Sequence, residues 1–229
     1  LDCRIAGWIN RTANGPSYEF QYTDKRLTSM VQTAPGQLPT RYRFTYTGEQ
    51  LTTITQTSDD TTAEYDSLLT RIAYDTQGRP LTLTTVAYVN AKPGEATIQD
   101  LNYDAQRFQL RTRSSSPGPY TVFLQDNTGN IEVREDYNRN GGLTEVQTGA
   151  LDTRPSPFRR FPLAFKLYFA REIGLSWNNN VVSSRCESIP DDEVIRKRLD
   201  YSYNTSGYPV ESRTPDETVV YRMVYGECE

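Results

Sequence analysis

Apolar and polar positions alternate in short runs along this chain, and each run ends in a polar turn. Tyr18-Glu19-Phe20-Gln21-Tyr22 alternates, turns through Thr23-Asp24-Lys25-Arg26 and resumes as Leu27-Thr28-Ser29-Met30. Tyr42-Arg43-Phe44-Thr45-Tyr46 repeats the unit, turning through Thr47-Gly48-Glu49-Gln50 into Leu51-Thr52-Thr53-Ile54. Further copies centre on Tyr74-Asp75-Thr76-Gln77-Gly78, Tyr103-Asp104-Ala105-Gln106-Arg107, Asp126-Asn127-Thr128-Gly129 and Tyr203-Asn204-Thr205-Ser206-Gly207. Period-two alternation places Tyr18, Phe20 and Tyr22 on one face and Glu19 and Gln21 on the other, as in a half-buried antiparallel strand. Asp or Asn opening a turn accepts hydrogen bonds from the turn backbone, and Gly at its fourth position supplies the positive φ of a type I turn with a bulge. The pattern predicts a mainly β protein, a curved antiparallel meander of six tandem hairpins. About twelve strands exceed what a twisted open sheet holds without curling.

One stretch breaks the period. Phe161 to Gly174 is apolar, with Pro162 near its start and Gly174 at its end, the positions a helix favours for these residues. It predicts one short helix near 162–173, within an apolar insertion of about 158–175, packed on the inner face of the sheet. The segment from Asn138-Arg139-Asn140-Gly141-Gly142 to Arg154-Pro155-Ser156-Pro157 reads as loop from its Gly and Pro content, as do Ala34-Pro35-Gly36, Lys92-Pro93-Gly94 and Ser114 to Pro119. None has the length of an interdomain linker, so residues 1–229 read as a single all-β hairpin-repeat domain.

Composition narrows the chemistry. The 229 residues carry a formal charge of −4, which argues against nucleic acid as a partner. There is no histidine, which removes Ser-His-Asp and Cys-His catalysis and every His-ligated metal site. Cys3, Cys186 and Cys228 are too few and too scattered for a metal site; one bridge with one free thiol and three reduced thiols both remain open. No run of eighteen apolar residues is present to form a membrane-spanning helix. The start at Leu1-Asp2-Cys3, without an initiator methionine, predicts a trimmed chain.

Candidate sites are few. Asp136-x-Asn138-x-Asn140-Gly141 has the spacing that opens a calcium loop, but Gln147 stands where such a loop carries Glu, so an ordinary turn is expected. Asp59-Asp60 and Asp191-Asp192-Glu193 are the densest acids. Glycoside hydrolysis needs two carboxylates roughly 5–9 Å apart, whereas these read as solvated hairpin tips. Tyr18, Phe20, Tyr22, Tyr42, Phe44, Tyr46, Tyr74, Tyr103, Tyr201, Tyr203 and Tyr225 either tile the buried face with their hydroxyls at its edge or line a groove for sugar or peptide. No catalytic, cofactor-binding or metal-ligating residue is assigned, and no cofactor is expected.

Tyr74-Asp75-Thr76-Gln77-Gly78-Arg79 resembles the tyrosine-aspartate repeats of the Rhs proteins. The whole chain resembles a domain-of-unknown-function family of Bacteroidetes cell-envelope lipoproteins. The likeness runs from Cys3 through the hairpins to the apolar segment, then Trp177-Asn178-Asn179-Asn180, the Leu199–Pro209 hairpin and a Tyr-rich strand from Val219 to Tyr225. The resemblance implies an extracytoplasmic envelope location, held by a lipid anchor on a cysteine upstream of Leu1 or on Cys3 itself. It supplies no activity. The expected function is a non-catalytic binding or scaffold module for a glycan, a peptide or a neighbouring protein, with Tyr or Trp residues outside the core as contacts. The alternative is a carboxylate-pair hydrolase of an envelope polysaccharide.

Overall fold

A computed structural model describes residues 3–13, 15–60, 64–104, 107–113, 118–216 and 218–228. It contains seventeen strands. They are β1 Cys3–Asn10, β2 Ser17–Thr23, β3 Arg26–Thr33, β4 Thr40–Thr47, β5 Gln50–Ser58 and β6 Ser67–Tyr74. Next come β7 Pro80–Val89, β8 Lys92–Asp104, β9 Arg107–Arg113, β10 Tyr120–Gln125, β11 Ile131–Tyr137 and β12 Leu143–Pro155. After two short helices, α1 Leu163–Tyr168 and α2 Ala170–Ile173, follow β13 Asn179–Ser188, β14 Glu193–Arg198, β15 Asp200–Tyr203, β16 Pro209–Arg213 and β17 Val219–Cys228. Every pairing is antiparallel between strands consecutive in the chain, except that β1 also pairs with β17 and so curls the meander into a nearly closed barrel.

The expected curved meander is present with five more strands than the repeats announce. Two segments read as loop are strand. Gly141 and Gly142 belong to a tight turn after which β12 runs to Pro155, its burial too even to show alternation. Lys92-Pro93-Gly94 opens β8, because the turn before it is made by Asn90 and Ala91, both at positive φ (50° and 61°). Ala34-Pro35-Gly36 is a turn as expected, and Ser114 to Pro117 lie outside the described residues.

The tyrosine repeat has a structural cause. Ladder register shifts fall between Gln21 and Tyr22, Thr45 and Tyr46, Ala73 and Tyr74, and Ser202 and Tyr203. In each the extra residue lies on the returning strand (Thr28, Thr52, Leu81 and Val210), and a bulge there bends the hairpin beside the tyrosine. Four tyrosine hydroxyls donate to a neighbouring strand's carbonyl: Tyr22 to Ile5 (2.9 Å), Tyr74 to Leu51 (2.7 Å), Tyr103 to Pro80 (2.7 Å) and Tyr225 to Pro209 (2.7 Å). The rings pack against the core, so each unit stitches itself to the one before. Burial pushes the Tyr74 and Tyr103 phenols up to about 12.

The core fills the barrel. Residues 156–178 enter as a plug between β12 and β13, and the helix expected near 162–173 is split at Phe169. Phe161 packs on Phe20, Phe165 on Phe44, Phe169 on Tyr42, Phe158 on Trp8 and Trp177 on Phe123, with ring centroids 4.9–5.6 Å apart. Those separations suit edge and offset aromatic contacts. Lys166, almost wholly buried, ties the plug's two ends by donating to the Arg159 carbonyl (3.1 Å) and Asn178 Oδ1 (3.0 Å). On the outer face of the same strands, Glu19, Gln21, Arg41, Arg43, Thr45 and Arg71 are exposed.

Candidate functional site

The sequence candidates occupy turns and core. Asn138 Oδ1 accepts from the Asn140 and Gly142 backbone N–H groups (2.9 and 3.0 Å), with Gly141 at φ 78°, so the calcium-like motif forms an Asn/Gly turn. Asp136 is held instead by Arg134 and Thr121, each at 2.5 Å. Asp59 pairs with Arg41 at 3.3 Å, and Asp191 accepts from Ser188 at 2.8 Å. Asp192 takes positive φ in the turn, and Glu193 starts β14, exposed.

Tyr18, Phe20, Tyr42 and Phe44 are buried, and Tyr22, Tyr46, Tyr74, Tyr103, Tyr201 and Tyr225 pack against the core. Tyr203 hydrogen-bonds Asp152, which also accepts from the Asn180 backbone N–H (3.1 Å) and Nδ2. These aromatics tile the interior, and Tyr22 and Tyr46 also border a cavity of about 320 Å³ beside Arg4, Arg26 and Arg160. Trp8 and Trp177 are likewise buried, which corrects the expectation of tryptophan contacts outside the core. Cys3 is disulfide-bonded, buried, and opposite Cys228 in the β1–β17 ladder, whereas Cys186 is a free thiol. A disulfide sulfur cannot also carry a lipid thioether, so Cys3 is not the lipid anchor.

The site that stands out lies where the barrel closes. β14 and β15 are one extended run interrupted only at Leu199, yet they pair in opposite directions around the barrel. β14 pairs with β13, Ser183 opposite Arg198; β15 pairs with β16, Asp200 opposite Arg213. Immediately past Arg213 the chain turns, with Thr214 N–H donating to the Thr218 carbonyl (3.0 Å), and returns as β17. Among the described residues, therefore, β14 is paired along one edge only. Beside its other edge opens a cleft of about 850 Å³. Arg185, Arg196, Lys197 and Arg198 line one side, Thr214, Pro215, Val220 and Tyr221 the other, and no carboxylate is among the described residues that line it.

Lys197, Leu199 and Tyr221 also line a smaller void of about 220 Å³ between plug and wall, so these three residues border both spaces. Glu172 and Arg171 of the plug reach this void, and burial raises the Glu172 carboxyl above its ordinary value. Arg185 pairs with Glu187 (2.5 Å) and Arg198 with Asp200 (3.7 Å), while Arg196 and Lys197 form no ion pair among the described residues. All of Arg196, Lys197 and Arg198 are exposed. The run Arg196-Lys197-Arg198 is three successive cations in a chain of net charge −4, a legible signal that composition averaged away.

No protein-family model matches this chain, and no curated protein matches it. Solved structures similar to it include two porin-like proteins of Bacteroides. A porin-like protein from Bacteroides vulgatus is 11% identical, with 98% of each chain covered and a TM-score of 0.57. A porin-like protein from Bacteroides uniformis is 12% identical over 97% of this chain and 96% of the other, with a TM-score of 0.36. What the chain shares with the first is the barrel fold. Transmembrane barrels turn an apolar band outward and a polar surface inward. Here the aromatics fill the interior and charged and hydroxyl side chains face out. No helix among the described residues is long and apolar enough to cross a membrane.

Proposed function

We propose that this chain is a non-catalytic binding protein of the cell envelope, formed as a single domain, that holds an anionic ligand in the cleft beside β14. The observation that carries the reading is the lining itself: four cationic side chains around one opening, two of them without an ion-pair partner and no acid beside them among the described residues. Clustered like charge with low-dielectric walls concentrates ligands of opposite sign. A glycosidase would need two acids in its cleft, and the described residues that line this one include none.

Location rests on separate support. The disulfide at Cys3 belongs to oxidising compartments outside the cytosol. The Bacteroides source of the similar fold agrees with the sequence resemblance to envelope lipoproteins. The polar outer face keeps the barrel beside the bilayer and not across it.

The test is binding of fluorescent poly-glutamate and of polygalacturonate at low and high salt. Both acidic polymers are expected to bind, more weakly as salt rises, and R196E/K197E is expected to weaken binding at least tenfold. Equal binding by the variant, or turnover of the glycan lost on replacing an acid, overturns the reading.

A further inference from the structure

Resting on that reading, we infer that the occupant of the cleft is an extended acidic peptide segment, added to the barrel as a strand along the free edge of β14. β15 has β16 beside it, and one step further that lane would set Thr214 opposite Leu199 and Pro215 opposite Arg198. The chain leaves the lane at that point to make the β16–β17 turn. The same lane continues along all six residues of β14, about 20 Å at the usual rise per residue, with no strand among the described residues paired in it. An unpaired edge is a template for another strand, and main-chain hydrogen bonds of this kind are how extended peptides add to sheets.

The side chains give the incoming strand its chemistry. Lys197 faces the interior void with Leu199 and Tyr221, so period-two alternation sends Arg196 and Arg198 to the opposite face. Cross-strand neighbours of opposite charge favour pairing. A peptide with carboxylates at every second position would meet Arg196 and Arg198 along one face. Ile195, an aliphatic side chain left 46% exposed on the interior side, would be covered by the same strand.

The experiment uses the whole protein and a six-residue, end-capped peptide of alternating threonine and glutamate. A second peptide of the same sequence carries N-methyl groups on alternate backbone amides, keeping every charge while removing ladder donors. Expected are saturable binding of the first, slowed amide hydrogen exchange confined to Glu193–Arg198, and binding of the methylated peptide weaker by about tenfold or more, as loss of two ladder bonds implies. Equal affinity for both peptides, or binding without protection of β14, overturns strand addition and leaves the basic cleft as a simple anion site. Binding of polygalacturonate but not of the peptide also overturns it, leaving the anionic-ligand reading intact. Binding of no acidic probe overturns both, and the three cations then only guard a free edge.

Discussion

Phe165→Ala tests whether the stabilising core lies inside the barrel. Phe165 is 2% exposed and touches three rings: Phe161 at 4.4 Å, Phe169 at 4.5 Å and Phe44 at 5.6 Å. Two partners belong to the plug and one to the wall, so the ring couples them. Removing a buried phenylalanine side chain costs about 3–5 kcal/mol, from lost transfer energy and the cavity left behind. Placed among aromatics held by a closed wall, this site has little room to collapse, and a loss of about 4 kcal/mol is expected. For a chain of this size that lowers Tm by roughly 12 °C. Guanidinium titration in detergent-free buffer, followed by fluorescence of the buried Trp8 and Trp177, gives the value directly. Phe165→Leu keeps most of the volume and is expected to cost under about 1.5 kcal/mol, and Thr45→Ala on the outer face under about 0.5 kcal/mol. A loss at Phe165 below about 1 kcal/mol, or a larger effect at Thr45 than at Phe165, would refute the interior core.

Three further outcomes follow from the same geometry. Tyr103→Phe removes the bond to the Pro80 carbonyl and is expected to cost about 1 kcal/mol in chemical denaturation; no change would mean that the hydroxyl stitch is not stabilising. Burial depresses the Lys166 ammonium to about 8, so between pH 8 and its unfolded value the unfolded chain binds more protons and stability rises with pH. Above pH 10 the tyrosines reverse the trend. Tyr46, Tyr74 and Tyr103, raised to about 12 chiefly by burial, stay neutral when folded but ionise when unfolded. Unfolding free energies from pH 7 to 11 should therefore peak between 8 and 10, and Lys166→Met should lack the rising limb. Cys3→Ser, or reductant on the unaltered protein, should lower stability by about 2–5 kcal/mol, whereas Cys186→Ser should leave the melting curve nearly unmoved.

Hairpin chemistry is local, and local signals survive in one dimension. Alternation around Phe20 and Phe44, Asp75 and Asn204 opening turns closed by Gly78 and Gly207, and the apolar run framed by Pro162 and Gly174 each depend on neighbours a few residues away. Sequence by itself therefore determined the antiparallel meander, the gathering of its aromatics on one face and the helical interruption. β12 escaped notice because its residues are half-buried on both faces, so no period marks it. The partner of each tyrosine hydroxyl lies in another hairpin, 17 residues away for Tyr22 and 23 for Tyr74. No spacing rule distinguishes that partner from a ligand, which is why core and groove both stood open. The cleft was beyond sequence altogether. It exists because β15 finds β16, β17 finds β1 across almost the whole chain, and no strand among the described residues fills the lane beside β14. Only non-local pairing could decide that, since a strand's free edge is defined by which partner does not arrive.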